Sequence, residues 1–146
     1  EDVLQIVREY VKEFNLVNCT TALQRLAKGM GGAGRDALDE SGRSRRQGPS
    51  QDLKPLLALT VELVHKAGEK CPAQNLANAL WACERLGLAD APESAQLVAA
   101  TSAAVADRQR LARFTGQNLA NAAWAVAKLG GDFHPFAEAI ALRARD

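Results

Sequence analysis

Aromatic side chains are scarce in this sequence: four Phe, two Trp and one Tyr, 5% of 146 residues. Alternating runs of Val, Ile, Thr and Tyr are missing too, so strands are not expected. Charge of one sign is also lacking. Eighteen Lys and Arg stand against 17 Asp and Glu, a net charge of +1. That balance argues neither for nor against a polyanionic partner, although a compact DNA-binding domain is usually more basic. The three cysteines (Cys19, Cys71, Cys83) are odd in number and have no C-x-x-C spacing. Neither a disulfide framework nor a zinc site is indicated; they read as small, semi-buried residues in a reducing compartment. The two histidines, His65 and His134, fall in no metal-ligand spacing, and P-loop, G-x-S-x-G and G-x-G-x-x-G motifs are missing. No enzyme, metal, cofactor or small-molecule substrate is expected. No apolar run approaches the roughly 20 residues that span a bilayer, so no membrane insertion is expected. A chain that opens on Glu1 without Met or a presequence reads as a fragment or mature form whose targeting information is lost.

What the sequence does have is a repeat. Gln74-Asn75-Leu76-Ala77-Asn78-Ala79-Leu80-Trp81-Ala82-Cys83-Glu84-Arg85-Leu86-Gly87 returns 43 residues later, from Gln117 to Gly130, with ten of fourteen positions identical. Arg85 becomes Lys128 and keeps its charge. The period lies in the range of two-helix repeats that stack into solenoids. Thr21 to Lys28 is a worn third copy, aligned without gaps on Asn78 to Arg85, with Gln24 where the others have Trp. Ala is abundant in the second half, and Ala is both the best helix former and small enough to let helices approach closely.

The expected fold is all-α, a short right-handed α-solenoid of three helical hairpins plus a leading helix. The leading helix runs over Asp2–Phe14, with Val3, Ile6, Val7, Tyr10, Val11 and Phe14 on one stripe, and Asn15 ends it. Repeat 1 spans about 18–67, repeat 2 about 72–108 and repeat 3 about 115–145, all in a single domain. In repeat 1 a helix from Asn18 to Lys28 stops at Gly29, and a helix from Asp52 to Ala67 carries Pro55 in its first turn. Leu56, Leu59, Leu63 and either Leu57 or Val64 supply its core face. Between them, residues 30–50 are rich in Gly, Ser and charge and read as a mobile insertion. In repeat 2, Pro72 opens the first helix, Gly87 closes it, and Pro92–Arg108 forms its partner, with Leu97, Ala100, Ala104 and Val105 inside. In repeat 3 a helix from Gly116 to Leu129 precedes one that begins at Pro135.

Two stripes run along each repeat helix. Leu76, Ala79, Leu80, Cys83 and Leu86, and Leu119, Ala122, Ala123, Val126 and Leu129, form an apolar face at helical spacing. Gln74, Asn78, Trp81 and Arg85, echoed by Gln117, Asn121, Trp124 and Lys128, form a second. Aligned from repeat to repeat, the second stripe makes a ladder of amides, indoles and cations, which suits a linear polymer: amides for base edges, aromatics for stacking, cations for phosphate. The phosphate candidates are Lys28, Arg85 and Lys128 with Arg43, Arg45 and Arg46 of the insertion; the base or sugar candidates are Gln74, Asn78, Gln117 and Asn121. Structural readings stand beside these. Trp81 and Trp124 are expected in the core between repeats, the asparagines as partners of a neighbouring helix, the glutamines as caps. Arg85 and Lys128 suit a helix C-terminus wherever they point. The insertion arginines read as solvated loop residues.

The motif Gln-x-Leu-Ala-Asn-x-x-Trp-Ala-x-x-(Lys/Arg)-Leu-Gly, present at 74–87 and 117–130, resembles the repeat helix of octotricopeptide-repeat proteins and the related helical repeats that precede RAP domains. The resemblance implies an α-solenoid that binds organellar RNA (rRNA or a transcript), in a mitochondrion or alternatively a plastid. It departs from that pattern in a period nearer 43 than 38, few copies and no RAP domain. Few repeats and a +1 charge fit a structural component of a mitochondrial ribosome or similar ribonucleoprotein, held among neighbouring proteins of a large assembly. The alternative, from a different class, is a protein–protein scaffold or adapter subunit of an organellar complex.

Overall fold

The computed structural model describes residues 2–30 and 53–145, and these are all-α: eight helices with no strand among the described residues. They are α1 (Val3–Tyr10), α2 (Leu16–Met30), α3 (Lys54–Ala67), α4 (Ala73–Arg85), α5 (Pro92–Ala106), the short α6 (Arg108–Leu111), α7 (Gly116–Lys128) and α8 (His134–Ala144). The expected insertion, with Arg43, Arg45 and Arg46, lies almost wholly outside the described residues.

Packing falls into two series. α2 packs on α4 and α4 on α7; behind them α3 packs on α5 and α5 on α8, while each member of the first series also touches its sequence neighbour in the second. α1 rests on α2. The core is a continuous seam of small and branched residues: Leu23, Leu76, Leu80, Leu97, Val126 and Phe136 are at most 1% exposed. Each contributes roughly 1.5–3 kcal/mol on burial. Between them Ala79, Ala82, Ala122 and Ala125 are fully buried, and their single methyl groups set how closely the backbones approach. On the second series, Thr60 and Thr101 are buried hydroxyls that donate to the carbonyls of Leu56 and Leu97, both at 2.7 Å. A local bond of this kind lets a polar side chain sit in an apolar seam.

The helix ends explain the boundaries. Asp2 caps α1 by accepting from the Leu4 N–H. α1 is shorter than its apolar stripe, passing into a 3-10 turn at Val11–Glu13. Of that stripe only Val7 is fully buried, and Tyr10 is half exposed. Asn15 does not merely end the leading helix; it starts the next. Its backbone N–H donates to Asn18 Oδ1 at 3.0 Å and its own Oδ1 accepts from the Asn18 N–H at 2.8 Å, so α2 begins at Leu16 and runs through Gly29. α7 has the same reciprocal cap between Thr115 and Asn118. In α2 and α7 the cap thus falls to the asparagine three residues in, not to Gln117 as expected, and α4 has no side-chain cap from Gln74 or Asn75. α4 and α7 close alike. Gly87 and Gly130 take positive φ (71° and 77°), and the residues after them, Leu88 and Gly131, donate back to Cys83 and Val126. This double-bonded C-terminus needs the left-handed conformation that glycine adopts freely.

Three further expectations are corrected. On α3 the buried residues are Leu56, Leu57, Thr60, Val61 and Val64, whereas Leu59 and Leu63 are half-buried. The face is rotated because α3 must meet both α2 and α5. On α5, Ala100 is only half-buried while Leu97, Ala104 and Val105 are inside. α5 also ends at Ala106, where Asp107 takes up the N–H groups of Gln109 and Arg110 and starts α6. The basic stretch 108–113 is therefore helical over Arg108–Leu111, and two of its arginines reach back to the end of α3. Arg110 and Arg113 reach the carbonyls of Gly68 and Glu69. From α8, Arg143 donates to the carbonyls of Leu111 and Phe114, at 3.2 and 2.6 Å, tying the last helix to the turn before α7.

Candidate nucleic-acid interface

The apolar stripe of each repeat helix is consumed by packing: Leu76, Ala79, Leu80 and Cys83 of α4, and Leu119, Ala122, Ala123 and Val126 of α7, are buried. That forces the second stripe outward. Gln74 is exposed and Asn78, Trp81 and Arg85 are half-buried; Gln117, Asn121, Trp124 and Lys128 are all exposed. α2 presents Val17, Thr21, Gln24 and Lys28 at the matching positions, with Lys28 exposed. Because α2, α4 and α7 pack in series, the three copies lie on adjacent helices.

The tryptophans depart from expectation. Trp81 packs against the edge of the core but keeps solvent access. Trp124 is 45% exposed. Neither is a core residue. Each indole instead carries the cation four residues on. The Arg85 guanidinium carbon lies 5.2 Å from the centre of the Trp81 ring, and Lys128 Nζ lies 5.5 Å from that of Trp124. Helical i,i+4 spacing puts the two side chains one above the other, and the ring face attracts the cation. Gln24 replaces the indole in α2, so Lys28 has no ring at the corresponding position.

Among the described residues, the side chains of Gln74, Asn78, Gln117 and Asn121 make no hydrogen bond within the protein. The reading in which the asparagines serve a neighbouring helix is not met. Arg85 Nε is screened from water and finds no acceptor among the described residues. The surface therefore offers unused amide donors and acceptors, two ring faces and three cations at the last turns of α2, α4 and α7. The arginines of the 108–113 turn are partly consumed by the contacts already described. Arg43, Arg45 and Arg46 lie outside the described residues.

The asparagine cap was the site-adjacent feature that stripe analysis missed. Asn18 and Asn118 form it, whereas Asn75 at the same register follows Pro72 and does not; an asparagine recurring just inside a helix start is the signal that marks it.

The three thiols lie away from this surface, in the core. Burial pushes the Cys83 thiol up to about 11, against a smaller opposing effect from the Ser94 hydroxyl. Burial likewise raises Cys19 and Cys71, with Thr60 and the Arg110 charge acting in the other direction. Thiols so placed stay protonated at neutral pH and are poor nucleophiles and metal ligands. Among the described residues no cluster of His, Cys, Asp and Glu could hold a metal ion, and no helix is long and apolar enough to cross a membrane. Comparison with protein-family models, curated proteins and solved structures finds no match.

Proposed function

We propose that this protein is an organellar RNA-binding helical-repeat protein, a short α-solenoid built into a mitochondrial ribosome or similar ribonucleoprotein. One observation carries the RNA reading: a cation laid on a solvent-reached indole occurs twice, at the same register of two packed helices. A ring face stacks on any base and an adjacent cation reaches phosphate, so the pair fits a single strand running across the helices. The unused amides beside it supply hydrogen bonds to base or sugar. The organellar setting rests on the resemblance of the Gln-x-Leu-Ala-Asn-x-x-Trp motif. The net charge of only +1 favours a member of an assembly, where neighbouring components share the binding, over a protein that holds RNA alone.

The test is a salt series on single-stranded RNA of mixed sequence, comparing wild type with Lys28→Ala/Arg85→Ala/Lys128→Ala. Each lost phosphate contact lowers the log–log slope by about 0.7 on a single strand. The triple variant should therefore lose affinity and about 2 in slope. Equal slopes for the two proteins would remove the cations from the interface and with them the RNA reading.

A further inference from the structure

Charge is balanced over the whole chain but not between its edges. The 3-10 turn Gly68–Lys70 links α3 to α4, and α6 links α5 to α7. These two links meet. Arg110 Nη2 donates to the Gly68 carbonyl at 3.4 Å, and Arg113 Nη1 to that of Glu69 at 3.5 Å. The two contacts bring Lys66 and Lys70, from the end of α3 and the turn, beside Arg108, Arg110 and Arg113. Five cations thus share one edge with two carboxylates, Glu69 and Asp107, and Asp107 is engaged with the N–H groups of Gln109 and Arg110. The far ends of α4 and α7 carry the opposite balance: Glu84, Asp90, Glu93 and Asp132 stand there against Arg85 and Lys128.

Two features set this edge apart from an ordinary solvated face. Lys66, Lys70 and Arg108 are exposed, and among the described residues no carboxylate pairs with them. Arg110 and Arg113 are each anchored to main chain through one guanidinium nitrogen, which fixes the group and leaves other N–H donors unused. A cation fixed beforehand loses less freedom when it meets a ligand. The edge also presents no ring. Phe114 is buried, and Trp81 and Trp124 lie more than two turns into α4 and α7. Cations without a ring neutralise phosphate but cannot stack a base. That suits strands whose bases are already stacked in a double helix and are met through their backbone.

We propose that the α3–α4 turn and α6 together form a second polyanion surface, which takes the phosphate backbone of a double-helical RNA segment. That the polyanion is RNA rests on the function proposed above. The two surfaces are separate. The 13 residues of α4 and of α7 put this edge about 20 Å from Arg85 and Lys128 along each helix. An unpaired strand on the indole ladder and a duplex on this edge are the contacts that a stem flanked by single strand requires.

The test measures binding of a blunt RNA duplex and of a single strand, both of mixed sequence, across a salt series. Wild type is compared with an edge variant, Lys66→Ala/Lys70→Ala/Arg108→Ala, and a ladder variant, Arg85→Ala/Lys128→Ala. The edge variant removes exposed side chains that hold no other part of the fold, and its Tm is measured alongside. It should lose about 10-fold or more in duplex affinity and about 2–3 in log–log slope, while keeping single-strand binding. The ladder variant should do the converse. Lys66→Arg/Lys70→Arg, which keeps the charge, should bind the duplex as wild type does. An edge variant that binds the duplex with wild-type affinity and slope overturns the proposal. So does a ladder variant that weakens duplex and single strand equally, since one surface would then serve both. Wild type that binds the single strand but not the duplex overturns this proposal and leaves the function above standing; wild type that binds neither removes both.

Discussion

Arg85 lies over the Trp81 ring at 5.2 Å, and Lys128 repeats the relation with Trp124 at 5.5 Å, although one indole is half-buried and the other exposed. The geometry is thus set by the helix and not by burial. At exposed sites such a pair stabilises by about 0.5–1 kcal/mol, too little to explain two tryptophans held at the surface of a chain with so few aromatics. Stacking on a base is worth more, about 1–3 kcal/mol per ring. Trp124→Ala should therefore leave thermal stability nearly unchanged and weaken RNA binding by roughly 5- to 150-fold, with the salt slope intact. Lys128→Ala should do the reverse, lowering the slope while costing less affinity. Fluorescence titrations at three salt concentrations separate the two. A Trp124→Ala protein that binds as wild type would take stacking out of the interface.

Asn75 and Asn118 are both preceded by Gln and followed by Leu-Ala-Asn-Ala, yet they should differ in worth. Asn118 exchanges two hydrogen bonds with Thr115. Asn75 stands at the same place in α4, but its N-cap is Pro72, which has neither a backbone N–H nor a side-chain oxygen to exchange. Asn118→Ala should cost about 1 kcal/mol, near 3 °C in Tm, and Asn75→Ala less than half as much. Thermal unfolding of both variants checks this; equal losses would show that the cap is not what preserves the asparagine.

That pair also marks how far the sequence could be read. Helical period and repeat register were legible because ten identical positions fall at helical spacing, and the split into a packed stripe and an outward stripe followed from it. Which neighbour each face meets was not. Leu59 and Leu63 look as apolar as Leu57, and only the positions of α2 and α5 decide that Leu57 is inside. Trp124 was misjudged for a related reason: a large apolar residue is normally core, but Leu119, Ala122, Ala123 and Val126 take the packed side of α7 and leave Trp124 outside.

Gly87 and Gly130 should be sensitive to substitution for conformational reasons alone. Both have positive φ, and a Cβ added at either meets nothing within 4 Å. Gly87→Ala and Gly130→Ala should each cost about 1–2 kcal/mol. Gly131→Ala fails differently: its Cβ would come within 2.9 Å of Val98 Cγ1 and 3.0 Å of Val126 Cγ1. Pairing it with Val98→Ala should recover part of the loss, whereas the same partner should leave the Gly87→Ala loss unchanged. A double-mutant cycle by denaturant unfolding measures that coupling.

Cys83 gives a prediction in pH. Burial raises its thiol to about 11 from an ordinary value of 9.0. The unfolded chain therefore loses this proton at lower pH than the folded protein does. The sign follows: the thiol costs the fold nothing below about pH 9, and as pH rises toward 11 the folded state loses a total of roughly 2–3 kcal/mol of stability. Val126 occupies the equivalent position in α7 and is fully buried there, so a β-branched side chain fits this register. Cys83→Val should fold with stability within about 1.5 kcal/mol of wild type at pH 7. Its denaturation midpoint should fall less steeply than that of wild type between pH 9 and 11. Parallel curves for the two proteins would mean that the Cys83 thiol ionises as readily inside the fold as outside it.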